Sequence, residues 1–190
     1  MPKNRQQIPK AERQAEVVNH ARELFVANGF KGTSVAAVGR AAGIAPAAVH
    51  WYFPTKDDLF AAALAQLFSR AREATQADPE IAGDPRGELL ALLIAMRPYR
   101  NLHREAYERI ESSPALADVY EEMQNWLDTH LLAIVSDHLP PEADIALIAD
   151  TAHVLFEGLL ISSRRLDRPT SDLIDLLTEA LVAVAKTKAT

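Results

Sequence analysis

Apolar residues recur at spacings of three and four along the whole 190-residue chain, and period-2 alternation of β-branched residues is nearly absent. Such spacing gathers apolar side chains on one face of a helix, whereas a half-buried strand needs alternation. The sequence therefore predicts an all-α protein of about nine helices. Val17, Val18, Ala21, Leu24 and Phe25 form a first stripe, ended by Asn28-Gly29. Thr33-Ser34 offers a cap for a short helix carrying Val35, Val38 and Ala42, which Gly43 stops. A third, very short helix is predicted from about Pro46 to Tyr52, since proline in a first turn lacks only an N–H the helix does not use. Phe53-Pro54 ends it, and Thr55-x-x-Asp58 opens a fourth in the manner of a capping box. After about residue 75, Asp78-Pro79 and Gly83-Asp84-Pro85 mark a linker. Helical stretches then follow at about 87–96, 98–111, 115–138, 142–166 and 171–187.

Charge divides the chain. Residues 1–56 carry eight Lys/Arg against three Glu, a net +5, while the remaining 134 carry 12 basic against 23 acidic side chains, a net −11. A basic head on an acidic body points to a polyanion met by the head alone. Zero cysteine excludes disulfides, thiolate metal sites and cysteine nucleophiles. The longest apolar stretch, Thr151 to Ser162, is interrupted by His153 and Glu157, and Met1-Pro-Lys-Asn-Arg lacks the apolar core of a signal peptide. The expectation is a soluble, cytoplasmic chain with no membrane partner.

Residues 33–53 have the spacing of a helix-turn-helix: helix, tight Gly turn, helix. Ala36, Ala37, Ala41 and Ala42 supply the small residues that two closely crossing helices need. The segment 46–52 is short enough to enter a major groove end-on. The runs Ala21-Arg-Glu-Leu-Phe, Asn28-Gly-Phe-Lys-Gly-Thr-Ser-Val, Arg40-Ala-Ala-Gly-Ile and Val49-His-Trp-Tyr-Phe-Pro-Thr-Lys-Asp-Asp-Leu-Phe resemble the signature of the tetracycline-repressor (TetR) family over about residues 12–65. The resemblance implies a homodimer that binds a palindromic operator on double-stranded DNA and leaves it when a small-molecule effector enters the larger domain. It divides the chain into a flexible basic arm (1–11), a DNA-binding domain (12–56, motif about 33–52), a connecting helix (57–75) and a ligand-binding and dimerisation domain (76–190).

Carried onto this sequence, the resemblance makes Thr33 and Ser34 caps of the second helix and contacts to the phosphate backbone. Arg40 lies late on that helix. Ala45, Pro46, Ala47 and Ala48 would face base edges, with Val49 turned inward, and His50, Trp51 and Tyr52 would reach the groove wall. Lys56 sits in the first turn of the fourth helix, where the dipole disfavours a cation unless a bound phosphate compensates. Where this family commonly has Ser or Thr, this chain has Ala45, so the recognition helix lacks a side-chain cap. With so few donors at 45–48, base reading falls to methyl contacts and DNA shape.

In the acidic body, Ile145, Ile148, Ala152, Leu155 and Leu159 form a stripe with Val154 and Gly158 beside it, too wide for one partner helix. Leu173, Leu176, Leu177 and Leu181 continue it on the last helix. The predicted dimer interface is built from Ile145, Ile148, Ala152, Leu155, Gly158, Leu159, Leu173, Leu177 and Leu181 as a two-fold four-helix packing. Met96, Tyr99, His103, Tyr107, Met123, Trp126, His130, His153 and Phe156 combine apolar bulk with a few polar groups, as a ligand pocket requires. Arg97, Arg100 and Arg104 fall at helical spacing and suit either an acidic ligand or the neighbouring glutamates. His153-x-x-x-Glu157 has metal-ligand spacing without a visible third ligand, so no metal or other cofactor is expected. No phosphate loop, nucleophile elbow or paired-carboxylate motif suggests an enzyme. The sequence thus predicts a ligand-responsive, DNA-binding repressor. Its alternative is a helical small-molecule carrier or protein-interaction module without specific DNA binding.

Overall fold

The computed structural model of the protein describes residues 9–161 and 167–188. Most of the basic arm, including Lys3 and Arg5, and the end of the stretch predicted to reach residue 166 lie outside the described residues. The helices are α1 (Lys10–Gly32), α2 (Val35–Ala42), α3 (Pro46–Tyr52), α4 (Lys56–Ala77), α5 (Pro85–Met96), α6 (Arg100–Tyr107), α7 (Pro114–Val135), α8 (Ile145–Ile161) and α9 (Thr170–Lys188). No strand occurs among the described residues.

The turn residues act largely where the sequence places them. Gly29, at φ 71° and ψ 178°, breaks the regular course of α1 right after Asn28, whose side chain donates back to the Leu24 carbonyl. Gly43 closes α2 in the left-handed conformation. Thr55 and Asp58 form the reciprocal box: the Asp58 N–H donates to Thr55 Oγ1 at 3.0 Å, and the Thr55 N–H to Asp58 Oδ2 at 2.8 Å. The stretch predicted as one helix over 98–111 is broken instead. Pro98 lies in a 3-10 turn, Arg97–Tyr99, and a second such turn, Ile110–Ser112, follows α6. Proline's missing N–H suits the tighter turn at a helix start, which explains the interruption.

The chain divides into two compact units. The first comprises the described residues through Leu67 together with Glu105–Val119. Its core is made of Val17, Ala21 and Phe25 from α1, Val38 from α2, Val49 from α3, and Leu59 and Phe60 from α4, all within 1% of full burial. Phe60 packs against Phe25 and Phe30, with ring centroids 4.8 and 5.0 Å away. Each such side chain contributes about 1.5–3 kcal/mol on burial. The later segment is joined to this core by two polar contacts. Glu105 accepts from the Phe30 N–H at 2.8 Å, and Arg109 grips Asp57 with both carboxylate oxygens engaged, Nη2 to Oδ2 at 2.9 Å. The pair holds the Asp57 carboxyl below its usual range, mainly through the Arg109 hydrogen bond.

The second unit spans Phe68–Arg104 and Tyr120–Thr190. Leu89, Leu92 and Met96 of α5, Leu127 and Leu131 of α7, Phe156 of α8 and Ile174 of α9 are among its most deeply buried apolar side chains. Arg86 holds Asp175 in a forked pair, tying the start of α5 to α9. Glu88, almost fully buried, accepts from the Gly83 N–H at 2.7 Å and contacts His130 Nε2 at 2.8 Å. Those two partners, the backbone one first, lower its pKa against the opposing pull of burial.

Candidate nucleic-acid interface

The helix-turn-helix is assembled by close backbone approach. The Ile44 N–H donates to the Gly39 carbonyl at 2.9 Å, and a Cβ on Gly39 would stand 3.0 Å from the Ile44 oxygen. Glycine at 39 is therefore what lets the turn fold back on α2. The sequence reading credits the neighbouring alanines instead.

Ser34 caps α2 with its hydroxyl, accepting from the Ala37 N–H at 3.1 Å, and remains exposed. Thr33 does not share that role. Its side chain is buried, and its Oγ1 is turned back onto the Leu24 and Gly29 carbonyls at 3.0 and 2.9 Å. Thr33 thus closes α1, and the hydroxyl expected to meet a phosphate beside Ser34 is already committed inside the protein. Arg40 is fully at the surface of α2.

Helix α3 is pinned through one side chain. Val49 is completely buried, while Ala45, Pro46, Ala47, His50 and Trp51 are exposed and Ala48 and Tyr52 half-buried. Ala45 stands at the N-cap with no side-chain hydrogen bond, as its methyl dictates. Trp51 exposes 66% of its surface, so a packed-aromatic explanation of this residue fails. Its ring meets Tyr52 edge-on, and the Lys10 ammonium lies 4.3 Å from its centre. His50 Nδ1 is held by the Pro54 carbonyl at 3.1 Å, which fixes the orientation of an otherwise exposed ring. Lys56 is half-buried, its ammonium 4.0 Å from the centre of the Phe30 ring, which the Arg109 guanidinium also approaches at 4.1 Å. Burial first and Arg109 second lower its pKa. The π face supplies part of the stabilisation that the sequence argument reserves for a bound phosphate.

The other expected sites are redistributed. Met96, His103, Met123 and Phe156 are buried in the second unit, with Tyr99, Trp126, His130 and His153 half-buried there. Trp126 stacks on His130 at 3.6 Å, and His153 pairs with Glu157 along α8. Tyr107 does not join them: it lies in the first unit and is 39% exposed. Its aromatic character carried it into the pocket set, but along α6 the chain passes from the second unit into the first after Arg104. Of the expected dimer residues, Ile145, Leu155 and Gly158 are exposed and Leu159 and Leu173 partly so. Ile148, Ala152, Leu177 and Leu181 are instead covered within their own unit. The open apolar surface includes Leu147, Val154 and Leu176, outside the predicted set. Among the described residues no group of three or more His, Cys, Asp or Glu is placed to hold a metal, and no helix is long and apolar enough to cross a membrane.

Residues 17–63 match the family profile described as bacterial regulatory proteins, tetR family. No curated protein matches the chain. Among solved structures, a tetR-family transcriptional regulator from Streptomyces coelicolor is 22% identical with a TM-score of 0.67, covering 95% of this chain and 85% of that one. A transcriptional regulator from Rhodococcus sp. Rha1 is 23% identical with a TM-score of 0.64, covering 92% and 96%. A transcriptional regulator from Saccharomonospora viridis, solved in complex with choline, is 18% identical with a TM-score of 0.60, covering 90% and 94%. These likenesses establish the fold over nearly the full length. The profile match falls on the helix-turn-helix built around Gly39 and Val49, and it is this segment, residues 17–63, that is similar in sequence to the bacterial regulatory proteins of the tetR family.

Proposed function

We propose that this protein is a transcriptional regulator, a cytoplasmic homodimeric repressor, which holds a palindromic operator through α2 and α3 and releases it when a small molecule enters its 76–190 region. The carrying observation is the asymmetry of α3: Val49 wholly buried, with Ala45, Pro46, Ala47, His50 and Trp51 exposed around it. A short helix anchored by one valine and otherwise open is shaped to enter a major groove. Ser34, Arg40, Tyr52 and Lys56 would supply phosphate contacts around it, as N–H groups, guanidinium, hydroxyl and ammonium. With methyl groups and an exposed indole in place of amides, base reading relies on thymine methyls and duplex shape.

Dimerisation is supported by the exposed Ile145, Leu147, Val154 and Leu155 of α8 and Leu176 of α9. So many large apolar side chains on one helix pair favour a second copy as cover. Effector binding is supported by the Met and aromatic side chains of the second unit, and by the choline held by the Saccharomonospora viridis relative in fold. The effector would act by preferring an arrangement with a recognition-helix separation other than about 34–36 Å or a multiple.

Selection from random duplex DNA, with enrichment and sequencing, tests the reading. Recovery of a palindrome by the parent, and not by Trp51→Ala/Tyr52→Ala, is the expected result. A folded, dimeric parent that enriches no sequence at low salt would refute the operator reading and favour the carrier alternative.

A further inference from the structure

Between Arg40 and Lys56 the sequence carries no Lys, Arg, Asp or Glu, so α3 has no formal charge of its own to set against a polyanion. The structure brings it one from the start of α1. Lys10 stands in the stretch expected to be a flexible arm, yet it is the first residue of α1, whose N-cap is Pro9. The Arg13 N–H closes that first turn on the Pro9 carbonyl at 3.0 Å. From this position the Lys10 ammonium reaches to 4.3 Å from the centre of the Trp51 ring, on α3. Tyr52 braces the same indole, its ring centroid 5.1 Å away and its plane nearly perpendicular. Lys10 and Trp51 are both exposed.

We infer that Lys10 is a DNA-phosphate contact, held at the flank of α3 by the face of the Trp51 indole. A lysine in the first turn of a helix opposes the dipole there, and a cation–π contact at an exposed site returns only a modest attraction. A phosphate outside the ring would add the missing counter-charge. An ammonium has three donors, so resting on the indole still leaves N–H groups to turn outward to a phosphate oxygen. The ring also restricts the long side chain beforehand, so less rotamer freedom is lost on binding. Residues 1–11 hold Lys3, Arg5 and Lys10 and no acid, so the sequence sets no carboxylate next to Lys10 to compete. The role rests on the proposed docking of α3 in a major groove. It adds a contact from α1, outside the helix-turn-helix and outside the residues 17–63 that match the family profile.

The full chain is titrated into a pool of random duplex DNA, followed by fluorescence anisotropy, at sodium chloride concentrations between about 50 and 200 mM. Lys10→Gln should bind about fivefold or more weakly at about 0.1 M salt, and the slope of log affinity on log salt should be shallower by about 0.9 per bound copy. Lys10→Arg should restore both. Trp51→Leu removes the platform and should also weaken binding. Combined with Lys10→Gln, its loss should be smaller than the product of the two single losses, because the pair acts together. Fully independent losses would overturn the part given to the indole. An unchanged slope in Lys10→Gln, with the parent binding normally, overturns the Lys10 contact. The slope needs no enriched palindrome, so a parent that binds the pool without selecting a sequence refutes the operator reading while the Lys10 contact is still decided. A folded parent that binds no duplex at about 50 mM salt overturns both.

Discussion

Two neighbours on α3 show how differently residues of similar character are used. Val49 is fully buried and Trp51 is 66% exposed. Trp51→Ala should therefore change unfolding free energy by no more than about 0.5 kcal/mol, yet weaken operator binding about tenfold or more. Val49→Ala should cost about 2 kcal/mol of stability. Urea melts beside a mobility-shift titration separate the two effects; an unfolding penalty above 1 kcal/mol for the tryptophan variant would contradict the exposure argument. His103 makes a second residue-scale prediction. Its ring is buried with no partner on either nitrogen, and burial lowers its pKa to about 4. The unfolded chain takes up that proton near 6.5, so the unfolded state binds more protons between the two values. Stability should fall as pH drops from 6.5 towards 4, by up to about 1.4 kcal/mol per pH unit, and stop falling from this source below that. His103→Leu should flatten the curve in denaturant melts across that window. Identical slopes in parent and variant would remove His103 as the cause. Nothing in the sequence around His103 announced its isolation, because its neighbours come from elsewhere in the chain.

At the scale of elements, the short helices are fixed by their ends. Ala45 leaves α3 without a side-chain cap, and its position is exposed. Ala45→Ser should stabilise the protein by about 0.5–1 kcal/mol, read as an increased urea midpoint at unchanged slope. A decrease would mean that the N-cap position tolerates only a methyl. Gly29 takes a backbone conformation that side chains resist, and a Cβ there would stand 3.2 Å from the Glu105 carboxylate. Gly29→Ala should cost at least about 1–2 kcal/mol by equilibrium unfolding. The breaks at Gly29, Gly43, Pro54 and Pro85 were legible because each is set by the glycine or proline itself. The capping of α2 was only half legible. Thr33 and Ser34 both carry hydroxyls, and which one caps depends on where α1 delivers the chain and which carbonyls it leaves open for Thr33 to close.

Over the whole molecule, charge and apolar surface are the features that govern association. The net +5 of residues 1–56 should make operator binding fall steeply between about 50 and 200 mM salt, through counterion release, despite an overall charge of −6. On the other unit, Leu155→Glu/Leu176→Glu places two carboxylates on the open α8 and α9 surface. If the proposed dimer forms through this surface, sedimentation should show the parent as a dimer and the variant as a monomer, with the helical circular dichroism retained. A dimeric variant would move the interface elsewhere.

The sequence by itself determined the helices, their stops, the helix-turn-helix and the basic head. Those depend on contacts between residues one to four apart, on caps and on the fixed backbone preferences of glycine and proline, all written locally. Only the tertiary structure decided that Glu105–Val119 packs with the helices of the first unit, through Glu105 on Phe30 and Arg109 on Asp57. It also decided which half of the α8 stripe is used internally, leaving Ile145, Val154 and Leu155 open while Ile148, Ala152 and Phe156 are buried. Helical periodicity gives a residue's face but not what lies against it, and that depends on side chains brought together from distant parts of the chain.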